Sequence, residues 1–395
     1  MTHHESYGNE ATTESTPLDL MIQVLDTHGF DGMAHALQIL VNETMKIERS
    51  ETLRAAPYER TCERQGYANG FKPKMLNTRI GKLELQVPQT RGVEFYPKSL
   101  ERGVRSERAL KLAVAEMYVQ GVSTRKVTEI TQELCGLDIS SSQVSRCSQL
   151  LDEELRSWRE RPLGKLSYLI LDARYEKVRH GGSVVDCAVL IAVGVLPSGK
   201  RTVLGVSVSL SEAEVHWREF LASLVKRGLH GVEMVTSDAH EGLKAARKSV
   251  FPGVPWQRCQ FHLQQNAVAY VPKVDMRSEV ADDLRGVFNA PDANEADRLL
   301  KRAADKYRPK APKLADWMER SVPEGLTVFT RPTAHRRRLR TSNMLERLNK
   351  EIKRRTRVAT LFPNEASLLR LVSAVLAEVD EEWQTGKCYL NTETD

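Results

Sequence analysis

Residues 163–259 alternate between runs that suit a strand and runs that suit a helix, in the order β-β-β-α-β-α-β. "LSYLILDARYEKV" is apolar on both faces up to Asp172, the pattern of a strand covered on both sides. "SVVDCAVLIAVGVL", the turn "PSGK" and "RTVLGVSVS" read as a hairpin. A helix over 212–227 closes at Gly228. A strand then ends at Asp238, a helix covers 240–250, and a short strand lies near 254–259. Three strands in hairpin order followed by βαβ units predict an α/β fold, a mixed sheet with helices on both faces.

The flanks read differently. Residues 17–56 are helical, with Leu20, Val24, Leu37, Leu40, Val41 and Met45 at helical spacing. Residues 57–106 are rich in Arg, Gly and Pro, with one short strand at 82–87 that Pro88 ends. Residues 107–160 read as three helices, the second capped by Ser123 or Thr124 and the third by Ser140 or Ser141. A short helix, a brief turn and a Ser-rich helix start fit a helix-turn-helix. Ser142, Gln143, Ser145 and Arg146 would then meet base edges. A plain helical bundle has the same pattern. Residues 261–330 are mostly helical, and two more helices are expected at 343–355 and 365–383.

Composition excludes several classes. A chain of 395 residues, 41% hydrophobic, suits two or three domains with sizeable cores. The longest apolar run, 187–196, has ten residues and is too short to span a bilayer. The polar N-terminus is unlike a signal peptide, and its first ~16 residues are expected to be disordered. Six cysteines without a CxxC pair suit a reducing cytoplasm. The net charge of +6 is uneven: residues 331–357 carry eleven Lys or Arg and two Glu, a net +9 that leaves −3 for the rest. A localised basic block points to a polyanion. Arg336, Arg337, Arg338, Lys350, Lys353 and Arg354 are the candidate phosphate contacts.

If the strand ending at Asp238 lies beside the first strand, Asp172 and Asp238 approach each other. Paired carboxylates repel, and divalent cations relieve the repulsion. Mg²⁺ suits such a site because it takes oxygen ligands and keeps water or phosphate in its shell. Glu346 is the candidate third acid, at the edge of the apolar face formed by Leu345, Leu348 and Ile352 and one turn from Asn343 and Asn349. Taken singly, Asp238 reads as a helix cap, Asp172 as a polar strand end and Glu346 as a surface ion pair. Glu176, Asp186 and Glu241 compete with them.

Several blocks resemble the bacterial IS256-family transposases, relatives of the eukaryotic Mutator group: "LDARYEKVRHGG", "SDAHEGLKAA", "WQRCQFHLQQN" and "TSNMLERLNKEIKRRTRVATLFPN". The upstream "MKIERSETLRAAPYER" and "NGFKPKMLNTRIGKLELQVPQTR" are also similar to the family's N-terminal region, and the resemblance covers about residues 35–390. It implies an RNase H-like core with a DDE triad at Asp172, Asp238 and Glu346 and a helical insertion before the Glu. The implied organisation is a tail at 1–16, a DNA-binding or dimerisation region at 17–106, a helix-turn-helix-like domain at 107–160, the core at 161–260 and 336–395, and the insertion at 261–335. The resemblance also makes Cys259 and His262 a CxxH signature. Structural zinc needs four ligands, and no second Cys/His pair has suitable spacing. Cys259 and His262 either support the active site, with Asn343, or contact DNA, or are simply packed and hydrogen-bonded.

The expected activity is cleavage of DNA at the ends of a mobile element and joining of the freed 3′-hydroxyls to DNA. Two Mg²⁺ ions, replaceable by Mn²⁺ and roughly 3.5–4 Å apart, would activate the nucleophile and stabilise the leaving oxygen. Double-stranded DNA is the expected partner, and no membrane is. The resemblance implies at least a homodimer and transposition through a copied circle. A hydrolytic nuclease or resolvase needs the same acids, and a catalytically silent repressor needs none of them.

Overall fold

The computed structural model describes residues 16–357 and 361–390. The chain packs as two compact units, one running through residue 118 and from 122 to 150, the other taking in 119–121 and the chain from 151 onward. The expected tail lies outside the described residues except for Thr16.

The first unit opens with α1 (Pro17–His28) and α2 (Met33–Leu53). The single short strand expected next is instead a long hairpin, β1 (Tyr67–Thr78) and β2 (Gly81–Arg91). Pro88 does not end β2 but sits opposite Phe71, which a two-stranded ribbon tolerates because both strands are edges. Leu83, Leu85 and Val87 of β2 point inward and pack with Met45 of α2. Three helices follow: α3 (Arg108–Val119), α4 (Thr124–Cys135) and α5 (Ser141–Ser148). Leu110, Val114, Val127, Ile139 and Val144 form their core. Ser123 caps α4, and Ser140 with Gln143 forms a capping box on α5.

The third helix was expected to run on toward residue 160. It breaks at a 3₁₀ turn (Gln149–Leu151), and α6 (Asp152–Glu160) belongs to the second unit. There Leu155 packs with Val119 and Ala374, and Asp152 pairs with Arg370 at 2.5 Å.

The second unit is built on a five-stranded mixed sheet in the order β5-β4-β3-β6-β7. Its strands are β3 (Tyr168–His180), β4 (Ser183–Val195), β5 (Arg201–Ser209), β6 (Met234–Ser237) and β7 (Trp256–Arg258). β3, β4 and β5 pair antiparallel, while β3–β6 and β6–β7 pair parallel. β3 continues well past Asp172, because Gly181 and Gly182 at φ 55° and 85° make a tight turn that pairs His180 with Ser183. Asp172 therefore lies within β3 and not at its end.

Alternate residues feed two cores. Leu169, Leu171, Leu190 and Leu204 pack with Trp217, Leu221 and Leu243 from α7 (Glu214–Lys226) and α8 (Glu241–Val250). Tyr168, Ile170, Val189 and Ile191 face the other way. That side holds the helical stretch α9 (Gln260–Ala267), α10 (Met276–Phe288), α11 (Ala293–Tyr307) and α12 (Pro312–Ser321). It also holds α13 (Thr333–Leu339), α14 (Asn343–Thr356) and α15 (Glu365–Thr385). The α/β architecture with helices on both faces is thus present. No helix of the described residues is long and apolar enough to cross a membrane.

Candidate active site

The parallel register of β3 and β6 pairs Tyr168 with Met234, Leu169 with Val235 and Ile170 with Thr236. Two residues further along the chain stand Asp172, within β3, and Asp238, the first residue past the end of β6. The sheet thus brings the two acids to the same level, where β6 stops. Period-two alternation turns Asp172 to the Tyr168–Ile170 face, the face on which α14 packs against β3. Asp238 does not cap α8, since His240 occupies that position. One Asp238 oxygen accepts from the His240 N–H at 3.1 Å.

Three hydrogen bonds pin the segment before α14 to the ends of the parallel strands. The Thr236 hydroxyl donates to Leu339 O at 2.9 Å, the Gln260 N–H donates to Arg340 O at 3.0 Å, and the Ser342 N–H donates to the Cys259 sulfur at 3.3 Å. The Ser342 hydroxyl also reaches that sulfur at 3.4 Å. Ser342 is the residue before α14, and its carbonyl accepts from the Glu346 N–H at 3.2 Å. Cys259 is fully buried, and its own N–H donates to Ser237 O at 2.7 Å. Cys259 therefore links the strand that leads to Asp238 with the helix that carries Glu346.

On α14, Leu345, Leu348 and Ile352 are buried. The Asn349 amide donates to Asp172 Oδ2 at 2.7 Å, and Arg174 donates to Asn349 O. One turn earlier, Glu346 Oε1 is buried without a hydrogen-bond partner, as is Asn349 Oδ1. Burial pushes the Asp172 carboxyl up to about 7; His262 pulls it back, Asp238 adds to the rise, and the Ala173 N–H and Asn349 oppose it. His262 is raised to about 9, first by its hydrogen bond to Cys259, against burial, and then by the charges of Cys259, Asp172 and Asp238. Burial alone would raise the Cys259 thiol, but hydrogen bonds from His262 and Ser342 outweigh it and bring the thiol below its ordinary value.

The competing acids are engaged elsewhere. Glu176 pairs with Arg174 and accepts from Thr356 at 3.1 Å, Asp186 pairs with Lys177, and Glu241 lies by Lys244. Glu212 was not foreseen. Burial raises its carboxyl, with His240 opposing and Asp238 adding. It lies in the turn before α7, where no periodicity marks it. Asn343 is exposed at the start of α14, and its N–H donates to Thr341 Oγ1 at 3.4 Å.

Oxygen donors of this kind suit a hard divalent cation. Among the described residues no three His, Cys, Asp or Glu side chains are gathered closely enough to hold one ion. The orphaned Glu346 oxygen and the mutual repulsion of Asp172 and Asp238 nevertheless fit cations shared between pairs of these acids, with water or phosphate completing each shell.

The basic residues divide by environment. Arg336 is half-buried, donates to Arg331 O and Pro291 O, and lies over Phe329. Arg354 is paired with Glu351. Arg337, Arg338, Lys350 and Lys353 are exposed. In the first unit, Gln143 and Arg146 line a cavity of about 400 Å³ with Arg105 and Lys111. Ser142 and Ser145 are on the same helix.

The paired acids on a mixed five-stranded sheet place the second unit in the α/β class compatible with an RNase H-like core. The chain matches the model of the family described as "Transposase, Mutator family" over residues 11–386. It is 60% identical over 380 residues to the transposase for insertion sequence element IS406 of Burkholderia multivorans, covering 96% of this chain and 98% of that protein. It is 45% identical to the transposase for insertion sequence element ISRM5 of Rhizobium meliloti, covering 91% of each chain. It is 37% identical to the transposase for insertion sequence element IS256 in transposon Tn4001 of Staphylococcus aureus, covering 91% of this chain and 93% of that protein. The chain belongs to the Mutator family of transposases.

Proposed function

We propose that this transposase cuts DNA at the ends of an insertion sequence and joins the freed 3′-hydroxyls to DNA, with Asp172, Asp238 and Glu346 as its catalytic acids. The observation that carries the reading is the level placement of Asp172 on β3 and Asp238 just past the end of β6, under the helix that holds Glu346. The three acids would hold two Mg²⁺ ions, or Mn²⁺ in their place, which when bound would polarise the phosphodiester and ease deprotonation of the attacking hydroxyl. Asn349 holds the Asp172 carboxylate in one orientation. His262 and Cys259 support the acids, His262 by its positive charge beside both aspartates and Cys259 through Ser342. Water attacks first and releases a 3′-hydroxyl, which then attacks a second phosphodiester. Neither step needs a nucleophilic side chain. Pairing two element ends calls for at least a homodimer.

The test uses the full chain and the DNA that flanks its reading frame. With Mg²⁺ or Mn²⁺, pre-cut ends should be joined to a second duplex. Asp172→Asn, Asp238→Asn and Glu346→Gln should each abolish cleavage and joining while end binding persists. Hydrolysis without joining would make the protein a nuclease or resolvase. A wild-type chain that binds ends yet cuts nothing would be a silent repressor.

A further inference from the structure

We propose that Arg201 and Arg338, which lie over the rings of Trp383 and Tyr389, together with Arg347 on the neighbouring cavity wall, form a binding site for the phosphate backbone of duplex DNA, apart from the acids. This rests on the reading that the chain works on DNA and assigns a place where the duplex is held beyond the reacting phosphate.

Arg201 opens β5, and its guanidinium carbon lies 4.3 Å from the Trp383 ring centre and 4.9 Å from that of Tyr389. The Arg338 guanidinium lies 5.1 Å from the Tyr389 ring. Tyr389 is fixed at both ends: its N–H donates to Gly199 O at 2.9 Å and its hydroxyl to Arg338 O at 3.0 Å. Arg347 follows Glu346 on α14. With Arg201, Lys350, Trp383 and the exposed Glu382 it lines a cavity of about 640 Å³ bounded by α14 and α15. Residues that converge here come from β5, α13, α14, α15 and the segment after α15.

Arg201 is half-buried, and guanidinium groups drawn toward it repel it unless something offsets the charge. Nearby arginines do have acid partners: Arg354 has Glu351, and Arg355 has Glu351 and Glu378. Among the described residues Arg201, Arg338 and Arg347 have no ion pair. Burial first, with Tyr389 opposing it, and then Arg347 and Arg338 hold the Arg201 guanidinium below its ordinary value. The aromatic faces offset part of that cost. A phosphate offsets the rest, and planar guanidinium forks match its oxygens in pairs. Lys350, one helical turn from Glu346 on α14, lines the same cavity, so a duplex whose scissile phosphate meets the acids would be within reach of this pocket.

The test measures binding of the full chain to a random-sequence duplex over a range of salt. Each phosphate contact contributes about 0.9 to the salt slope. Arg347→Gln should lower the slope by about 0.9 and Arg201→Gln with Arg347→Gln by about 1.8. Lys226→Gln with Lys248→Gln, exposed cations of α7 and α8, should leave the slope unchanged. Arg201 packs between two rings, so the single Arg347→Gln variant decides the matter if the double variant misfolds. An unchanged slope in Arg347→Gln, or an equal drop in the α7–α8 control, would overturn the site. The readout needs no cleavage. Failure here leaves the catalytic reading standing, and an inactive wild type with the expected slopes would overturn only the catalytic reading.

Discussion

The Asn349 amide donates to the Asp172 carboxylate across 2.7 Å, from the helix that also carries Glu346. This contact adds to the others between α14 and β3, Arg174 to Asn349 O and Thr356 to Glu176. Removing it frees the Asp172 carboxylate to rotate. Partners that orient a ligating carboxylate typically cost 10–100-fold when lost. Asn349→Ala should therefore lower cleavage by about 10–100-fold and raise the Mg²⁺ concentration needed for half-maximal activity. Asn349→Asp places a third negative charge against Asp172 and should do no better. Cleavage by Asn349→Ala at the wild-type rate and metal requirement would remove Asn349 from the site.

Asp172 also sets a pH dependence in metal-free protein. Its carboxyl rises from 3.8 to about 7 on folding, chiefly through burial. Between those values the folded chain binds the proton that the unfolded chain has released. The resulting stability is fully present below about pH 4 and is lost as pH rises through about 7. Without divalent cation, this group should lower the melting temperature across that window, and Asp172→Asn should remove its share of the fall. Mg²⁺ should raise the melting temperature more at about pH 8 than at about pH 5, since the ion competes with the proton. Parallel melting curves for wild type and Asp172→Asn would show that this carboxyl does not titrate there.

In the first unit, Gln143 serves α5 before it serves any base. Its side-chain oxygen accepts from the Ser140 N–H at 2.7 Å. Gln143→Ala would confuse a lost cap, about 1 kcal/mol, with a lost base contact. Gln143→Glu keeps the capping box and sets a negative charge toward DNA. It should melt like the wild type yet bind element ends more weakly. Arg146→Ala should cost about 1–3 kcal/mol on cognate ends and less on random duplex. Equal losses on both DNAs would make Arg146 a phosphate contact.

The run Arg336-Arg337-Arg338 separates into different jobs. Arg336 donates to two backbone carbonyls, so Arg336→Gln should cost about 1–3 kcal/mol of stability. Arg337 is exposed, so Arg337→Gln should stay within about 0.5 kcal/mol of wild type and flatten the salt slope by about 0.9. Urea melts and salt titrations of the two single variants check both statements. A stable Arg336→Gln variant, or an Arg337→Gln variant with an unaltered slope, would contradict the division.

These divisions mark where sequence stops being informative. The order of elements from β3 to β7 was legible because both faces of that sheet are buried and its strands are apolar runs. The approach of Asp172 to Asp238 was legible only on the condition that the strand leading to Asp238 lies beside β3, which the sheet order meets. The continuation of β3 was not legible, because Arg174 and Glu176 meet the polar side of α14 and leave no apolar alternation. β1 was missed for a related reason: most of its residues face solvent. The break between α5 and α6 depends on Val119, Ala374 and Arg370, all distant in sequence. Glu212 and the grouping of Arg201 with Trp383 are likewise products of tertiary packing, which no local pattern encodes.

Cys259 tests whether the strand ends position Glu346. Its sulfur accepts from the Ser342 N–H and hydroxyl at the start of α14. Cys259→Ala leaves both donors buried without a partner, at a cost of about 1–3 kcal/mol. It also frees the first turn of the helix, and a shift of about 1 Å at a reacting group can cost 10²-fold in rate. Cys259→Ser offers an oxygen acceptor in the same place and should restore most of the cleavage. Ser342→Ala removes the hydroxyl bond but keeps the backbone one, so its loss should fall between the two. A sulfur that mattered only for packing would give a different order, since Ala and Ser would then lose activity alike. The order wild type, Cys259→Ser, Ser342→Ala, Cys259→Ala, read from cleavage rates in chains matched for melting temperature, is the signature of a positioning role. Equal rates across the series would sink it.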